Sequence, residues 1–314
     1  LRDMRAAAVE GAFDLDITFS GEPSRGYRLH MLPCGGGELW LGRAPSVRRM
    51  GQGSRGDMRK GYDFWMPMMM LRRTGSTPLT SVYTAVHEPW SGSPFIDAVR
   101  PVTLNPPGVM AVALEVRYGQ TVDTIISTND VPPYPERRTS TGIRLRGRFA
   151  VVRRTQDRVD GLWLLDGEGL EGEGFTLSPR VPAFEGELTG ATRRADGQAE
   201  DALLTETPLP PGEALKGRWL VVTYPNGLTQ GHELARIEAR DGLTRLVTRM
   251  DHGLRLEEDH VEETYAPLRK LQGRCRFRLP TMASMTPPSI ASGWCRKRRQ
   301  ASAARDSGGR LEAT

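Results

Sequence analysis

Nowhere does this chain carry the long 3.6-residue apolar period of a helical domain, and no run approaches about 18 consecutive apolar residues. The first absence argues against helix bundles and βαβ architectures; the second predicts a chain without a membrane span. Cysteine is scarce. Cys34, Cys275 and Cys295 are the only three, none has a partner at metal-ligand spacing, and together they exclude a disulfide framework or a zinc site. The five histidines, His30, His87, His232, His252 and His260, are scattered, with no pair at the spacing of a zinc-binding helix. There is no Gly-x-Ser-x-Gly nucleophile elbow, and the carboxylates are too many to single out a glycosidase pair. Gly35-Gly36-Gly37 lacks the Lys-Ser/Thr that a phosphate-cradling loop requires, and reads as a hairpin loop. No catalytic residue, metal ligand or cofactor is therefore assigned.

What is present is the punctuation of a β protein. Thirty-five glycines and 23 prolines among 314 residues suit many short strands joined by tight turns. Residues 80–127 organise the rest, with strands expected over Val82–Val86, Phe95–Val99 and Met110–Ser127, the last broken near Gly119. In that last run Met110, Val112, Leu114, Val116 and Tyr118 share one parity and Glu115 and Arg117 the other, the two-residue period of a half-buried strand. His87-Glu88-Pro89-Trp90 and Ser91-Gly92-Ser93-Pro94 read as turns between the strands. His87-Glu88 is the most suggestive acid–base dyad in the chain, although a structural role is the simpler reading in the absence of a partner.

Elsewhere the same logic applies. Ala12–Phe19 and Tyr27–Leu32 are expected strands, with Phe13, Leu15 and Ile17 alternating with Asp14 and Asp16. Tyr62–Leu71, holding three consecutive methionines, reads as a strand buried on both faces. Ile143, Leu145, Phe149 and Val151 share a parity opposite Arg144, Arg146 and Arg148, a strand that turns near Gln156-Asp157. Those arginines are either a binding face for anionic sugar or, as preferred, a solvated sheet face. A β-meander follows: Trp219–Tyr224, the hairpin signal Asn226-Gly227, Gly231–Ala239, the turn Asp241-Gly242, Leu243–Met250 and Gly273–Leu279. Cys275, Phe277 and Leu279 share its inner face. The resulting expectation is an all-β protein: a large antiparallel β-sandwich over residues 1–190, a smaller β-module over 191–280, and a disordered basic tail over 281–314.

The formal charge of +5 is unevenly placed. The tail has six basic residues against Asp306 and Glu312, so global charge is a poor guide to partners, and nucleic acid is not expected. Residues 48–73 carry Arg48, Arg49, Arg55, Arg59, Lys60, Arg72 and Arg73 against Asp57 and Asp63. The loop at its centre makes Arg48, Arg49, Arg55 and Lys60 the candidate substrate-binding residues, since arginine forks match carboxylate and sulfate geometry. The chain opens at Leu1 without a charged n-region and apolar h-region, so the expectation is an internal cut with any signal peptide upstream.

Residues 26–127, from GYRLHMLPCGGGELWLGRAPSVRRMG through YDFWMPMMMLRR and TSVYTAVHEPWSGSPFIDAVRPVTL to TVDTIIST, resemble the β-sandwich region of heparinase II/III-family proteins. LKGRWLVVTYPNGLTQGHELARIEARDGLTRLV and the closing GRCRFRL are similar to that family's terminal β-module. The resemblance implies a polysaccharide lyase with an α/α-toroid ahead of the sandwich. In such enzymes a Tyr or His base removes the proton α to a uronate carboxylate in β-elimination. It implies an acidic polysaccharide as partner, with a periplasmic or secreted location. The base-bearing segment and the toroid precede the matching region, so no catalytic residue is carried over to this chain. A non-catalytic carbohydrate-binding or structural β-module is the alternative.

Overall fold

A computed structural model of the chain describes residues 1–19, 21–46, 62–265 and 268–286. Every strand pairing within these residues is antiparallel, and no α-helix interrupts them. The all-β expectation holds. Contacts divide the chain into two units, 1–130 with 137–143, and 131–136 with 144–314. The joint read from the sequence, at 190/191, falls instead inside the second unit.

The described residues of the first unit form eleven strands: β1 (Arg2–Val9), β2 (Phe13–Phe19), β3 (Glu22–Met31), β4 (Gly37–Pro45), β5 (Trp65–Arg72), β6 (Ala85–Ser91), β7 (Ala98–Val102), β8 (Leu104–Asn105), β9 (Val112–Tyr118), β10 (Thr121–Ser127) and β11 (Arg137–Thr139). They form a β2-β3-β6 sheet, a β7-β9-β10 sheet, a short β8-β11 pair and a β1-β4-β5 sheet. Buried Leu32, Leu114 and Val116, with Val86, Ile96, Val99, Val112, Tyr118 and Ile125 around them, join the β2-β3-β6 sheet to the β7-β9-β10 sheet. The parity expected for Val112 to Tyr118 is therefore the parity that packs. Gly119 adopts φ 56 at the β9–β10 turn, a left-handed conformation that glycine enters without a Cβ penalty.

Two expectations fail here for physical reasons. Strand β6 continues through His87-Glu88-Pro89-Trp90, which the sequence read as a turn. Pro89 is tolerated because β6 lies at the edge of its sheet, where a missing N–H need not interrupt a ladder. Strand β5, read as buried on both faces, has no fully buried residue at all. It is an edge strand of the β1-β4-β5 sheet, none of whose described residues within strands is fully buried.

The second unit begins with a long hairpin, β12 (Arg144–Thr155) and β13 (Arg158–Gly172), closed by Gln156 and Asp157 at positive φ. The register slips between Arg146 and Gly147, opposite Gly167. A Cβ on Gly147 would sit 2.6 Å from the Gly167 Cα, so this close approach requires glycine. The extra residue of this bulge is Glu168 of β13, while along β12 the buried parity changes beyond Gly147. Leu145 is buried before it and Ala150 and Val152 after it, while Phe149, expected in the core, faces outward.

Next come β14 (Phe175–Leu177), β15 (Ala183–Glu187), β16 (Gly190–Thr192), β17 (Ala202–Thr205), β18 (Trp219–Thr223), β19 (Thr229–Arg240), β20 (Leu243–Thr248), β21 (Leu254–Leu256), β22 (His260–Glu263), β23 (Arg269–Gln272), β24 (Arg276–Pro280) and β25 (Met282–Met285). A seven-stranded sheet runs β15-β24-β18-β19-β20-β17-β16, with a small β21-β22-β23 sheet beside it in sequence. Its core takes in Leu203, Leu220, Leu234, Ile237, Leu246, Cys275, Phe277 and Leu279, as the alternation of the meander requires. Asp241 and Gly242, at φ 54 and 79, make the primed turn between β19 and β20. Strand β25 pairs with Leu162–Leu165 of β13, so Met282–Met285 are ordered sheet rather than the start of a disordered tail.

Candidate functional site

The loop arginines come first. Arg48, Arg49, Arg55 and Lys60 lie outside the described residues. The outward arginines of β12 are not free cations: Arg144 pairs with Glu171, Arg146 with Glu168 at 4.0 Å, and Arg148 with Asp166 at 3.7 Å. They are a charge-matched sheet face, the preferred reading. Cys34 and Cys275 are both free thiols, and burial pushes Cys275 up to about 11, as befits a small core residue. Among the described residues no group of three His, Cys, Asp or Glu side chains is arranged to hold a metal ion.

His87 and Glu88 do not form a dyad. Successive residues of a strand project to opposite faces, and β6 obeys this rule. His87 lies opposite Leu29, and its Nδ1 meets the Tyr27 hydroxyl, the two rings 5.6 Å apart. Glu88 lies opposite Arg28 on the other face and is wholly buried. Register then decides its surroundings. Asp14 and Asp16 of β2, Arg28 and His30 of β3, and Glu88 of β6 all share that face.

The result is a chain of hydrogen bonds. His30 Nδ1 is 2.9 Å from Asp14 Oδ1, and its Nε2 is 2.8 Å from Glu88 Oε2. Both ring nitrogens thus face carboxylate oxygens. Glu88 Oε1 accepts the backbone N–H of Ile96 at 2.7 Å and that of Phe95. Burial pushes the Glu88 carboxyl upward, but the Ile96 N–H, the His30 ring and the Phe95 N–H outweigh it and hold the group below the usual carboxylate range. Beside it the Arg28 fork grips Asp16 through 2.6 and 2.9 Å contacts, and this bidentate pair keeps Asp16 low.

These groups border an open depression of about 390 Å³, lined by Ala12, Phe13, Asp14, Arg28, His30 and residues 96–100, including Asp97 and Arg100. Asp97 accepts the Gly119 N–H at 2.6 Å. Of the two arginines that line it, Arg28 is held by Asp16, while Arg100 stands opposite Glu115 in the β7–β9 register. A larger concavity of about 530 Å³ in the same unit is lined chiefly by apolar groups, among them Leu32, Val82, Val102, Leu104 and Val112, with Arg73 its one charged residue.

Chemically, the polar depression offers recognition more than reaction. Its imidazole is engaged on both nitrogens, and one of its two carboxylate partners, Glu88, has no solvent exposure. What is left is a set of planar donors and acceptors suited to hydroxyl and carboxylate groups. The sequence carried a signal for the cluster, since Asp-Leu-Asp in β2 faces Arg-Leu-His in β3 across a hairpin with matching parity. Compared with family models, curated proteins and solved structures, the chain finds no match. No described helix is long and apolar enough to cross a membrane.

Proposed function

We propose that this chain is the C-terminal β-sandwich part of a heparinase II/III-like polysaccharide lyase. In this reading it acts as scaffold and as one wall of a glycan cleft, and an upstream α/α-toroid performs the β-elimination of an acidic polysaccharide. The observation that carries the reading is the open depression bordered by Asp14, Arg28, His30, Asp97 and Arg100. Its mixed charges suit a sugar that bears both hydroxyls and a carboxylate. The basic run of Arg48, Arg49, Arg55 and Lys60 is added as a candidate substrate-binding segment by its composition alone.

The engaged state of His30 also favours the second reading, a carbohydrate-binding module with no chemistry of its own. Binding of uronate oligosaccharides to wild type and to an Arg48→Ala, Arg49→Ala, Arg55→Ala triple variant tests the common part of both. A salt-sensitive affinity that the triple variant loses supports a glycan wall, because several exposed charge pairs are screened together. Affinity that survives the triple variant but vanishes on deletion of residues 287–314 reduces the effect to unspecific charge and removes the reading. Unsaturated product formed by the toroid-bearing protein and not by this chain separates lyase scaffold from binding module.

A further inference from the structure

The larger concavity of the first unit, about 530 Å³, takes no part in the glycan reading, and its walls have a definite chemistry of their own. Local sequence opens it. Leu32 extends the β3–β6 ladder by one bond, its N–H donating to the Thr84 carbonyl at 3.0 Å, and Pro33 has no N–H to extend it further. Gly35 and Gly36, at φ 78 and 87, then turn the chain into β4, which belongs to another sheet. Across the gap, β7 carries Pro101 on the edge of its own sheet, and Pro107 and Gly108 follow before β9. Residues of both sheets thus line one space that neither strand fills.

The floor of that space is core. Leu32 and Val112 belong to the apolar cluster that joins the two sheets, and Val82, Val102, Leu104 and Ala113 continue its lining. Arg73 supplies the one charge, and the triple glycine holds it in place. A Cβ on Gly35 would stand 3.4 Å from Arg73 Nη2, and one on Gly37 3.5 Å from its Cγ, so the side chain lies along the loop. Its Nη1 donates to the Thr80 carbonyl at 3.2 Å. No Asp or Glu lines the space, and the other polar side chains there are threonine hydroxyls and the Cys34 thiol. Nothing acidic in the lining competes for the guanidinium.

These walls select a ligand of two parts. The volume falls within the roughly 300–1,000 Å³ of small-molecule sites, which pair apolar walls with a few fixed polar groups. A sugar would set most of its hydroxyls against valine, leucine and alanine, where they lose hydrogen bonds to water without replacement. A cation would meet Arg73. A carboxylate matches the arginine fork in charge and in planar, bidentate geometry.

We propose that this concavity binds a small monocarboxylic acid with an apolar body, the carboxylate on Arg73 and the body against Val82, Val102, Leu104 and Val112. It shares no lining residue with the polar depression, so the proposal stands apart from the glycan reading.

Equilibrium dialysis of the 314-residue chain against decanoate, decyltrimethylammonium and acetate tests it. Decanoate is expected to bind saturably at one site, the cation of equal chain length at least about tenfold more weakly, and acetate not measurably. Arg73→Gln is expected to weaken decanoate at least about tenfold, the loss of a charge-assisted contact, and to leave the cation unaffected. Arg73→Lys is expected to restore part of the loss, since it keeps the charge without the fork. Val102→Trp fills the space and is expected to abolish decanoate binding with the β circular dichroism unchanged. Ala111→Leu, outside the strands, is expected to weaken it in the same sense and serves where the larger side chain disturbs β7. The absence of saturable decanoate binding overturns the proposal. So does equal affinity for the cation, which reduces the effect to adsorption on apolar surface. Wild-type affinity in both filling variants places the ligand elsewhere, and displacement of decanoate by a uronate oligosaccharide removes the separate site.

Discussion

The seven-stranded sheet of the second unit and the β1-β4-β5 sheet of the first are built from equally apolar strands with opposite fates. In the former, Leu203, Leu220, Leu234, Ile237 and Leu246 are buried to within 2%. In the latter, Leu39, Leu41, Met69 and Leu71 are at most half-buried, and Met66 and Met70 are open. Apolar periodicity reports which side chains need cover, while the layer that covers them comes from tertiary structure or from a partner. A sheet that meets its cover within the chain behaves as core, and one that does not behaves as surface.

The sharpest way to break this comparison is to cut side chains in both places. Leu246→Ala is expected to lower unfolding free energy by about 2–5 kcal/mol, as a fully buried Leu leaves a cavity. Met70→Ala is expected to cost under about 1 kcal/mol, since its side chain is already partly in water. Urea unfolding of both variants checks the contrast; comparable losses would show that β5 is core after all.

A buried polar counterpart comes next. Glu88→Ala removes the acceptor of two backbone N–H groups and leaves His30 with one carboxylate, at an expected cost of about 3 kcal/mol. Hydrogen exchange at Phe95 and Ile96 should rise with the variant, and unchanged protection there would show that the contact does not anchor this segment.

A smaller effect is expected from acid. His232 and His252 pack edge to face, 6.3 Å apart, in the second unit. Burial lowers both, His232 to about 4 from an ordinary 6.5. His252 is held neutral, its Nε2 donating to the Thr192 carbonyl and its Nδ1 accepting the Leu254 N–H. The folded pKa lies below the unfolded one, so the unfolded chain binds more protons between them. Stability is complete above pH 6.5 and is lost as pH falls towards 4, by roughly 2 kcal/mol between pH 7 and 5 for His232 alone. His232→Leu should flatten that dependence. An unchanged pH profile would place the titrating groups elsewhere. The smallest effect belongs to the outward face of β12, where Arg144→Ala should change stability by no more than about 0.5 kcal/mol.

Much of this architecture was legible from residue order. The Asn226-Gly227 and Asp241-Gly242 turns, the inner face of Cys275, Phe277 and Leu279, and the Val112–Tyr118 parity follow from local rules that the fold obeys. Three features escaped because they depend on non-local pairing. Phe149 turns outward because the buried parity of β12 changes between Gly147 and Ala150, beside the close approach of Gly147 to Gly167. Met282–Met285 become a strand because β13 has an edge to offer. The His30 cluster requires the register of three strands, and adjacency in sequence pointed instead to His87-Glu88, whose side chains diverge.

Whether the polar depression recognises acidic sugar without transforming it is tested most directly by one titration. The chain is mixed with a uronate oligosaccharide while heat of binding and ultraviolet absorbance of unsaturated product are followed together, for wild type and Arg100→Ala. The expected result is salt-sensitive binding that Arg100→Ala weakens about tenfold, the loss of one charge-assisted contact, with no rise in absorbance for either protein. Steady release of unsaturated product by the wild-type chain, abolished in His87→Ala, would contradict it and place the chemistry on the Tyr27–His87 face instead.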